Sequence, residues 1–214
     1  MIRFYKFPKW QQWFYPKAIF DFYDKKISNQ KVIYLTFDDG PIPGVTEKIL
    51  DILETYNAKA TFFCIGENVK KKPKLYQTII DKGHAVGNHS MNHINGFKTS
   101  KKKYIEDVLK AKKFINSNLF RPPYGKYTPK QHKALKKLGF QTVFWSYLTY
   151  DFDSSLKSEK RIINTISNCK NGSILVFHDN LKDLTTILKN LSMESYTFLE
   201  ITTNSDLNKR YLQG

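Results

Sequence analysis

Residues 32–41 read VIYLTFDDGP, and the way this stretch folds sets the frame for everything after it. Val32 to Phe37 is a nearly continuous run of β-branched, aliphatic and aromatic side chains, the pattern of a strand buried on both faces of a parallel sheet. Asp38, Asp39, Gly40 and Pro41 then stop it with turn-forming residues.

Working outward, the same strand-then-helix alternation repeats. Val45, Ile49, Leu53 and Tyr56 fall at helical spacing. ATFFCI (60–65) reads as a second strand, Leu75 to Ile80 belongs to a helix that stops near Gly83, and HAVGNH (84–89) reads as a short third strand. Residues 101–117 read as a lysine-rich helix carrying Tyr104, Ile105, Val108, Ala111 and Ile115. Leu119 and Phe120 lead into Arg121 and a rigid Pro122-Pro123-Tyr124-Gly125 loop. Thr128 and Pro129 form an N-cap and first-turn proline, with Gly139 closing that helix. QTVFWSY (141–147), SILVFH (173–178) and YTFLEI (196–201) are the remaining strands, separated by helices near 157–169 and 180–191. Such alternation predicts an α/β fold with a mostly parallel sheet and helices outside it. About seven strands either close into an irregular barrel or stay open as a doubly wound sheet, and periodicity does not choose between them.

The composition excludes other classes. With 214 residues, 41% of them hydrophobic and 15% aromatic, the chain has enough apolar surface for one sizeable core, which rules out a disordered chain. No apolar run has the length of a membrane-spanning helix. Two cysteines, Cys64 and Cys169, each in an apolar stretch, exclude a disulfide scaffold and read as small buried hydrophobes. Lysine and arginine number 35 against 19 acidic residues, a formal charge of +16. Four of the 35 are arginine, leaving 31 lysines, so the basicity lacks the planar forks that read phosphates and bases. A solvated lysine-rich surface accounts for it; attraction to an anionic polymer or a membrane face is the sharper alternative.

Residues 1–30 stand apart as an N-terminal extension, with 31–214 as the domain proper. Lys6, Pro8, Lys9, Gln11, Gln12, Pro16 and Lys17 interrupt every apolar run, so the segment does not read as a secretory signal. Its interleaved aromatic and lysine residues suit either loose association with a membrane surface or packing across the underside of the domain; two prolines favour packing.

The polar residues that stand out sit where strands end. Asp38 and Asp39 follow the first, His89 the third, Arg121 the fourth, Asp151 comes after the fifth, and His178 ends the sixth. In a parallel α/β fold those ends share one face, where active sites form. His89 and His93, four apart in HSMNH and one turn apart in a helix, can grip one cation, with Asp38 or Asp39 supplying a carboxylate. The aspartate that does not ligate is free to take a proton from water, His178 to protonate a leaving group, and Arg121 to pair with a carboxylate. The bland alternatives are an ordinary turn, surface histidines and a surface ion pair. His84 reads as packing near the site without binding metal, and His132 as solvated on a polar helix.

Thr36-Phe37-Asp38-Asp39-Gly40, His89-Ser90-x-x-His93, Arg121-Pro122-Pro123-Tyr124-Gly125 and Val176-Phe177-His178 resemble the ordered motifs of the polysaccharide deacetylase family, the NodB-homology domain of carbohydrate esterase 4 type. The resemblance runs from about residue 31 to residue 201. It implies a distorted (β/α)7 barrel that hydrolyses N-acetyl groups on sugars with a divalent metal, zinc foremost, or cobalt, nickel or manganese. Carried over, it makes Asp39, His89 and His93 the metal ligands, Asp38 the general base and His178 the general acid. It gives the Tyr124 backbone N–H to the oxyanion, makes Arg121 orient Asp38 and Asp151 orient His178, and sets Trp145 and Val176 in the wall around the acetyl methyl, with Tyr124 against the substrate.

The chain departs from the family pattern at Leu148 and Phe152, where an aspartate and a tryptophan are usual, and at Val176, where leucine is usual. These changes put the substrate-facing wall in doubt. They leave room for an O-acetyl esterase with the same site, or a silent sugar-binding homologue; a nucleic-acid binder rests on charge alone and is not expected. The substrate expected is an acetylated carbohydrate of chitin or peptidoglycan type, with no obligate protein partner. The location expected is cytoplasmic or at the inner face of the membrane.

Overall fold

The computed structural model describes residues 5–23, 30–178 and 181–202. Residues 1–4 and 24–29 of the extension, residue 180 of the last expected helix, and 203–214 of the expected domain lie outside the described residues. The strands are β1 (Lys31–Asp38), β2 (Thr61–Cys64), β3 (Ala85–Asn88), β4 (Leu119–Phe120), β5 (Gln141–Thr142), β6 (Tyr147–Leu148), β7 (Ser173–Phe177) and β8 (Tyr196–Leu199). The helices are α1 (Lys9–Gln12), α2 (Thr46–Thr55), α3 (Gly66–Lys71), α4 (Pro73–Asp81), α5 (Lys101–Lys112), α6 (Pro129–Lys137), α7 (Ser158–Asn168) and α8 (Leu181–Met193). None of them is long and apolar enough to cross a membrane.

All strand pairs are parallel, in the order β5-β4-β3-β2-β1-β7-β6. β8 lies beside the first half of β1, on the edge where β2 takes over further along. β1 is buried along both faces, as its apolar run requires. Ile33, Leu35 and Phe37 face outward into a core shared with Ile49, Leu53, Leu184 and Leu188 of α2 and α8. Val32 and Tyr34 face the barrel interior with Phe63, Val143 and Ile174. Thr36 and Asp38 continue that inner row toward the carboxyl end, so the interior turns polar where the strands finish.

The stretch expected as one strand, 141–147, is two. Gln141 and Thr142 pair with β4, whereas Tyr147 and Leu148 pair with β7. Between them the carbonyls of Val143 and Phe144 accept hydrogen bonds from the Arg121 guanidinium instead of joining a neighbouring ladder. One piece of chain thus touches both ends of the sheet and curls it into a distorted (β/α)7 barrel.

The extension packs into that seam. Ile19 bridges Val143, and the Phe144 N–H donates to the Ile19 carbonyl. Tyr5 stacks on Tyr147, Phe7 and Phe20 lie on Phe144, and the Phe22 N–H donates to Gly172. Packing was expected; its course runs down the side of the barrel rather than only beneath it. Two helices differ from expectation. α5 stops at Lys112, before the Asn116-Ser117-Asn118 run, where the Ser117 Oγ accepts from the Leu119 N–H. α3 is an additional short helix, ended by Pro73 and hidden in the sequence by the lysine run 70–72.

Candidate active site

At the carboxyl end of the barrel the centre is Arg121, which is completely buried. Its Nη1 donates to Asp38 Oδ1 at 2.8 Å and to Thr36 Oγ1 at 2.7 Å. Its Nε and Nη2 donate to the Val143 and Phe144 carbonyls, and its planar group lies 4.2 Å over the Phe63 ring. The surface ion pair weighed as its bland alternative does not occur. Burial opposes ionisation of Asp38. The Arg121 charge and, less strongly, those of His89 and His178 outweigh it and hold the carboxyl below the usual carboxylate range.

Asp39 follows in the left-handed region, φ 72°, which turns its side chain away from that of Asp38. The Asn68 side chain, from α3, donates to the Asp39 carbonyl at 2.8 Å and steadies the turn. Asp39 Oδ1 lies 3.2 Å from His93 Nε2 and 3.6 Å from His89 Nε2. Residues 89–93 are a bent loop rather than a helical turn. Left-handed backbone at Ser90 and His93 brings the two imidazoles together, ring centres 5.0 Å apart. The His89 Nδ1 faces the Arg121 carbonyl at 2.8 Å, so the Nδ1 proton is donated there and Nε2 keeps its lone pair.

The three ligand atoms lie within 4.8 Å of one another, and Asp39 Oδ1 is buried without a hydrogen-bond partner among the described residues. A carboxylate oxygen facing imidazole lone pairs is repulsive unless a cation lies between them. Two ligands each about 2.1 Å from a tetrahedral ion stand roughly 3.4 Å apart. The two separations from Asp39 Oδ1, 3.2 and 3.6 Å, match. Burial, and then the neighbouring His89, lower the pKa of His93, which favours the neutral, ligating form.

Across the mouth, the His178 backbone N–H donates to Asp151 Oδ2 at 2.6 Å, and its Nδ1 donates to Asp151 Oδ1 at 2.9 Å. Burial alone would discharge this imidazole. The Asp151 hydrogen bond and charge reverse that and raise its pKa to about 9. Thr149 Oγ1 donates to the Val176 carbonyl at 2.7 Å and lies 3.2 Å from Asp151 Oδ1, tying the pair to β7. Tyr124 is also left-handed, φ 60°, with its ring 4.5 Å from that of His93. The Gly125 and Lys126 N–H groups close its turn, and neither of those bonds uses the Tyr124 N–H. Gly125 is required: φ is +65°, and an added Cβ would meet the Trp145 ring at 2.5 Å.

The structure therefore draws Asp38, Asp39, His89, His93, Arg121, Tyr124, Asp151 and His178 to one face. Val176 is buried in β7, and Trp145 lies beneath Gly125, against Phe7. The ring standing edge-on to His178, at 4.8 Å, is that of Phe152. Two histidines differ from expectation. His84 is at the opposite end of the barrel, where its Nδ1 accepts from the Ala60 N–H, and burial followed by the Lys59 charge lowers its pKa to about 4. His132 is buried rather than solvated, within 2.6 Å of the Tyr127 hydroxyl and 3.1 Å of the Pro16 carbonyl. It lies on the inner face of α6, covered by the extension. Cys64 and Cys169 are reduced, and burial pushes both thiols up, so neither is a nucleophile.

Asp107 went unnoticed in the sequence. From α5 its carboxylate accepts from the Met91 and Asn92 N–H groups and from the Asn92 side chain, clamping the loop between the two histidines. The available signal was an acidic residue on the Tyr104–Val108–Ala111 stripe of an otherwise lysine-rich helix.

Comparison with known proteins agrees with this geometry. The sequence profile of the family described as Polysaccharide deacetylase matches residues 25–143. A peptidoglycan-N-acetylglucosamine deacetylase of Bacillus cereus is 37% identical over 188 residues, 82% of this chain and 88% of that protein. A chitooligosaccharide deacetylase of Azorhizobium caulinodans is 34% identical over 158 residues, 71% of this chain and 75% of that protein. Among solved structures, the Bc1960 peptidoglycan N-acetylglucosamine deacetylase, in complex with 4-naphthalen-1-yl-N-oxidanyl-benzamide, superposes with a TM-score of 0.79 at 30% identity, covering 86% of this chain and 91% of that one. The barrel, the motif order and these likenesses together make the chain a member of the polysaccharide deacetylase family.

Proposed function

We propose that this chain removes acetyl groups from the nitrogen of amino sugars in a poly- or oligosaccharide of peptidoglycan or chitin type, by metal-assisted hydrolysis. The observation that carries this reading is the orphaned Asp39 Oδ1 between two imidazole Nε2 atoms, with a buried ionised carboxylate on one side and a charged imidazole on the other. One carboxylate and two imidazoles with room for further ligands suit zinc best among the divalent ions. Bound there, the ion supplies Lewis acidity, polarising the acetamide carbonyl and acidifying water.

The chain's own groups do the rest. Asp38, held ionised by Arg121, accepts a proton from the attacking water. The Tyr124 N–H donates to the developing oxyanion, and one such donor is worth about 3–4 kcal/mol. His178, charged because of Asp151, protonates the departing amine, leaving acetate and a free amino sugar. An acid at this position that stays protonated through neutral pH favours the amide over the ester: an amine must be protonated to leave, whereas an alkoxide is the better leaving group.

The test is acetate release from matched N-acetyl and O-acetyl oligosaccharides, with metal content measured on the same sample. Faster N-deacetylation at one ion per chain is the expected result. Faster O-deacetylation would make the chain an esterase, and sugar binding without acetate at saturating metal would make it a silent homologue.

A further inference from the structure

The carboxylate that charges His178 comes from a loop between β6 and α7. β6 ends at Leu148, and no helix begins until Ser158. Among residues 151–157 only Asp151 and Leu156 are buried, and an open cleft of about 650 Å3 runs beside Phe152, Ser154 and Lys157. Hydrogen bonds rather than packing therefore shape this loop, and Arg161 supplies two of them. From α7 its Nη1 donates to the Asp153 carbonyl at 2.9 Å and to the Leu156 carbonyl, while its Nε donates to Asp183 Oδ2 at 2.5 Å. Asp183 stands in the first turn of α8, five residues beyond His178, and its Oδ1 accepts from the Ser158 hydroxyl. Both Arg161 and Asp183 are buried. Arg161 is one of four arginines beside 31 lysines, and its place calls for the planar fork: a single ammonium does not serve a carboxylate and two carbonyls at fixed angles.

We infer that the Arg161–Asp183 pair positions the general acid, tying the 150–157 loop to α8 so that Asp151 and Phe152 meet the His178 imidazole. The inference rests on the deacetylase reading, in which that imidazole protonates the departing amine. The two halves of the acid arise on different stretches of chain: His178 follows β7, whereas Asp151 hangs from the loop. The ion pair joins the same two stretches further along, between α7 and α8. A buried pair of this kind adds little net stability over well-packed apolar side chains, because desolvation offsets most of the attraction. What it fixes is geometry. Asp151 Oδ1 lies 2.9 Å from His178 Nδ1, and the Phe152 ring stands edge-on to the imidazole at 4.8 Å. The other charges facing His178 are Asp38 and Asp39, which belong to the end of β1 and not to the loop. Without the Arg161 bonds the loop slackens, the Asp151 hydrogen bond lengthens, and the imidazole loses the contact that holds its proton until the amine departs.

The experiment compares the wild type with Arg161→Lys, which keeps the charge and loses the fork, and with Arg161→Met/Asp183→Leu, which strands no charge. Each is followed by denaturant unfolding, by kcat and KM across pH, and by the NMR titration of the His178 imidazole, identified by its absence from His178→Gln. In both variants kcat should fall about tenfold with little change in KM, the kind of loss a slightly displaced catalytic group gives. The basic limb and the His178 titration should move down together by about one pH unit, as a weakened hydrogen bond to the charged form requires. The acidic limb, which belongs to Asp38 and Arg121, should stay. The double variant should unfold near the wild-type midpoint, so that the acid is disturbed while the fold is not, a separation that a merely structural pair would not show. A wild-type basic limb and His178 titration in either folded variant would overturn the inference. A His178 titration lowered in both variants, with no acetate released even by the wild type, would uphold the positioning role and overturn the deacetylase reading alone.

Discussion

Arg121 and Asp38 form a buried ion pair, Nη1 to Oδ1 at 2.8 Å, in which both side chains are almost wholly removed from solvent. Breaking such a pair from one side leaves the other charge stranded, at a cost of about 3–5 kcal/mol. Arg121→Met should therefore lose stability on that scale in denaturant unfolding. It should also release the Asp38 carboxyl upward, since the largest influence lowering its pKa is gone. The acidic limb of the pH–rate profile then moves to higher pH. An unshifted acidic limb in a folded Arg121→Met protein would show that Arg121 does not tune the base.

The basic limb belongs to His178. Its proton must be present before the amine leaves, and Asp151 keeps it there up to about pH 9. Turnover should fall as pH rises through about 9. Asp151→Asn removes the raising charge, so its limb should move toward lower pH while the acidic limb stays. Stability follows the same sign. A folded pKa raised from 6.5 contributes stabilisation that is full below 6.5 and is lost as pH rises to about 9. Thermal melts across that window check it, and Asp151→Asn should flatten the dependence.

Much of this was legible in the sequence, for a physical reason. Chemistry at strand ends needs residue types that apolar strands otherwise exclude, so Asp38, Asp39, His89 and His178 stand out against Val, Ile, Leu and Phe. What could not be read depends on contacts distant in the chain. The break within 141–147 exists because Arg121, some twenty residues earlier, claims the carbonyls in the middle of the stretch. His132 looks solvated on its own helix and is buried only because the extension crosses it at Pro16. The conformation of HSMNH was not legible because two non-glycine residues, Ser90 and His93, adopt left-handed backbone that spacing cannot foretell.

Metal removal separates the site from the fold. The Asp39 side chain is one-third exposed at the mouth of the barrel, so Asp39→Ala should keep the circular dichroism of the barrel while losing bound metal and acetate release together. Chelation of the wild type should do the same, and zinc should restore it. Full turnover by metal-free Asp39→Ala protein would overturn the metal-assisted mechanism.

Asp107 offers the sharpest test of how the ligands are held. Its carboxylate touches no ligand atom; it accepts three hydrogen bonds from Met91 and Asn92, the centre of the loop whose ends are His89 and His93. Those bonds fix a loop that contains two left-handed residues, a conformation that costs energy and persists only where its surroundings enforce it. Asp107→Ala removes all three acceptors and lets the loop relax, separating the imidazoles before metal arrives. Supporting residues of this kind typically contribute 10- to 100-fold in metal affinity. Asp107→Ala should therefore weaken metal binding in that range, read by competition with a chromophoric chelator. Turnover at saturating metal should recover most of its wild-type value, because Asp38, His178 and the Tyr124 N–H are untouched. A loss of kcat that excess metal does not rescue would mean that Asp107 acts on the reacting groups rather than through the ligand loop.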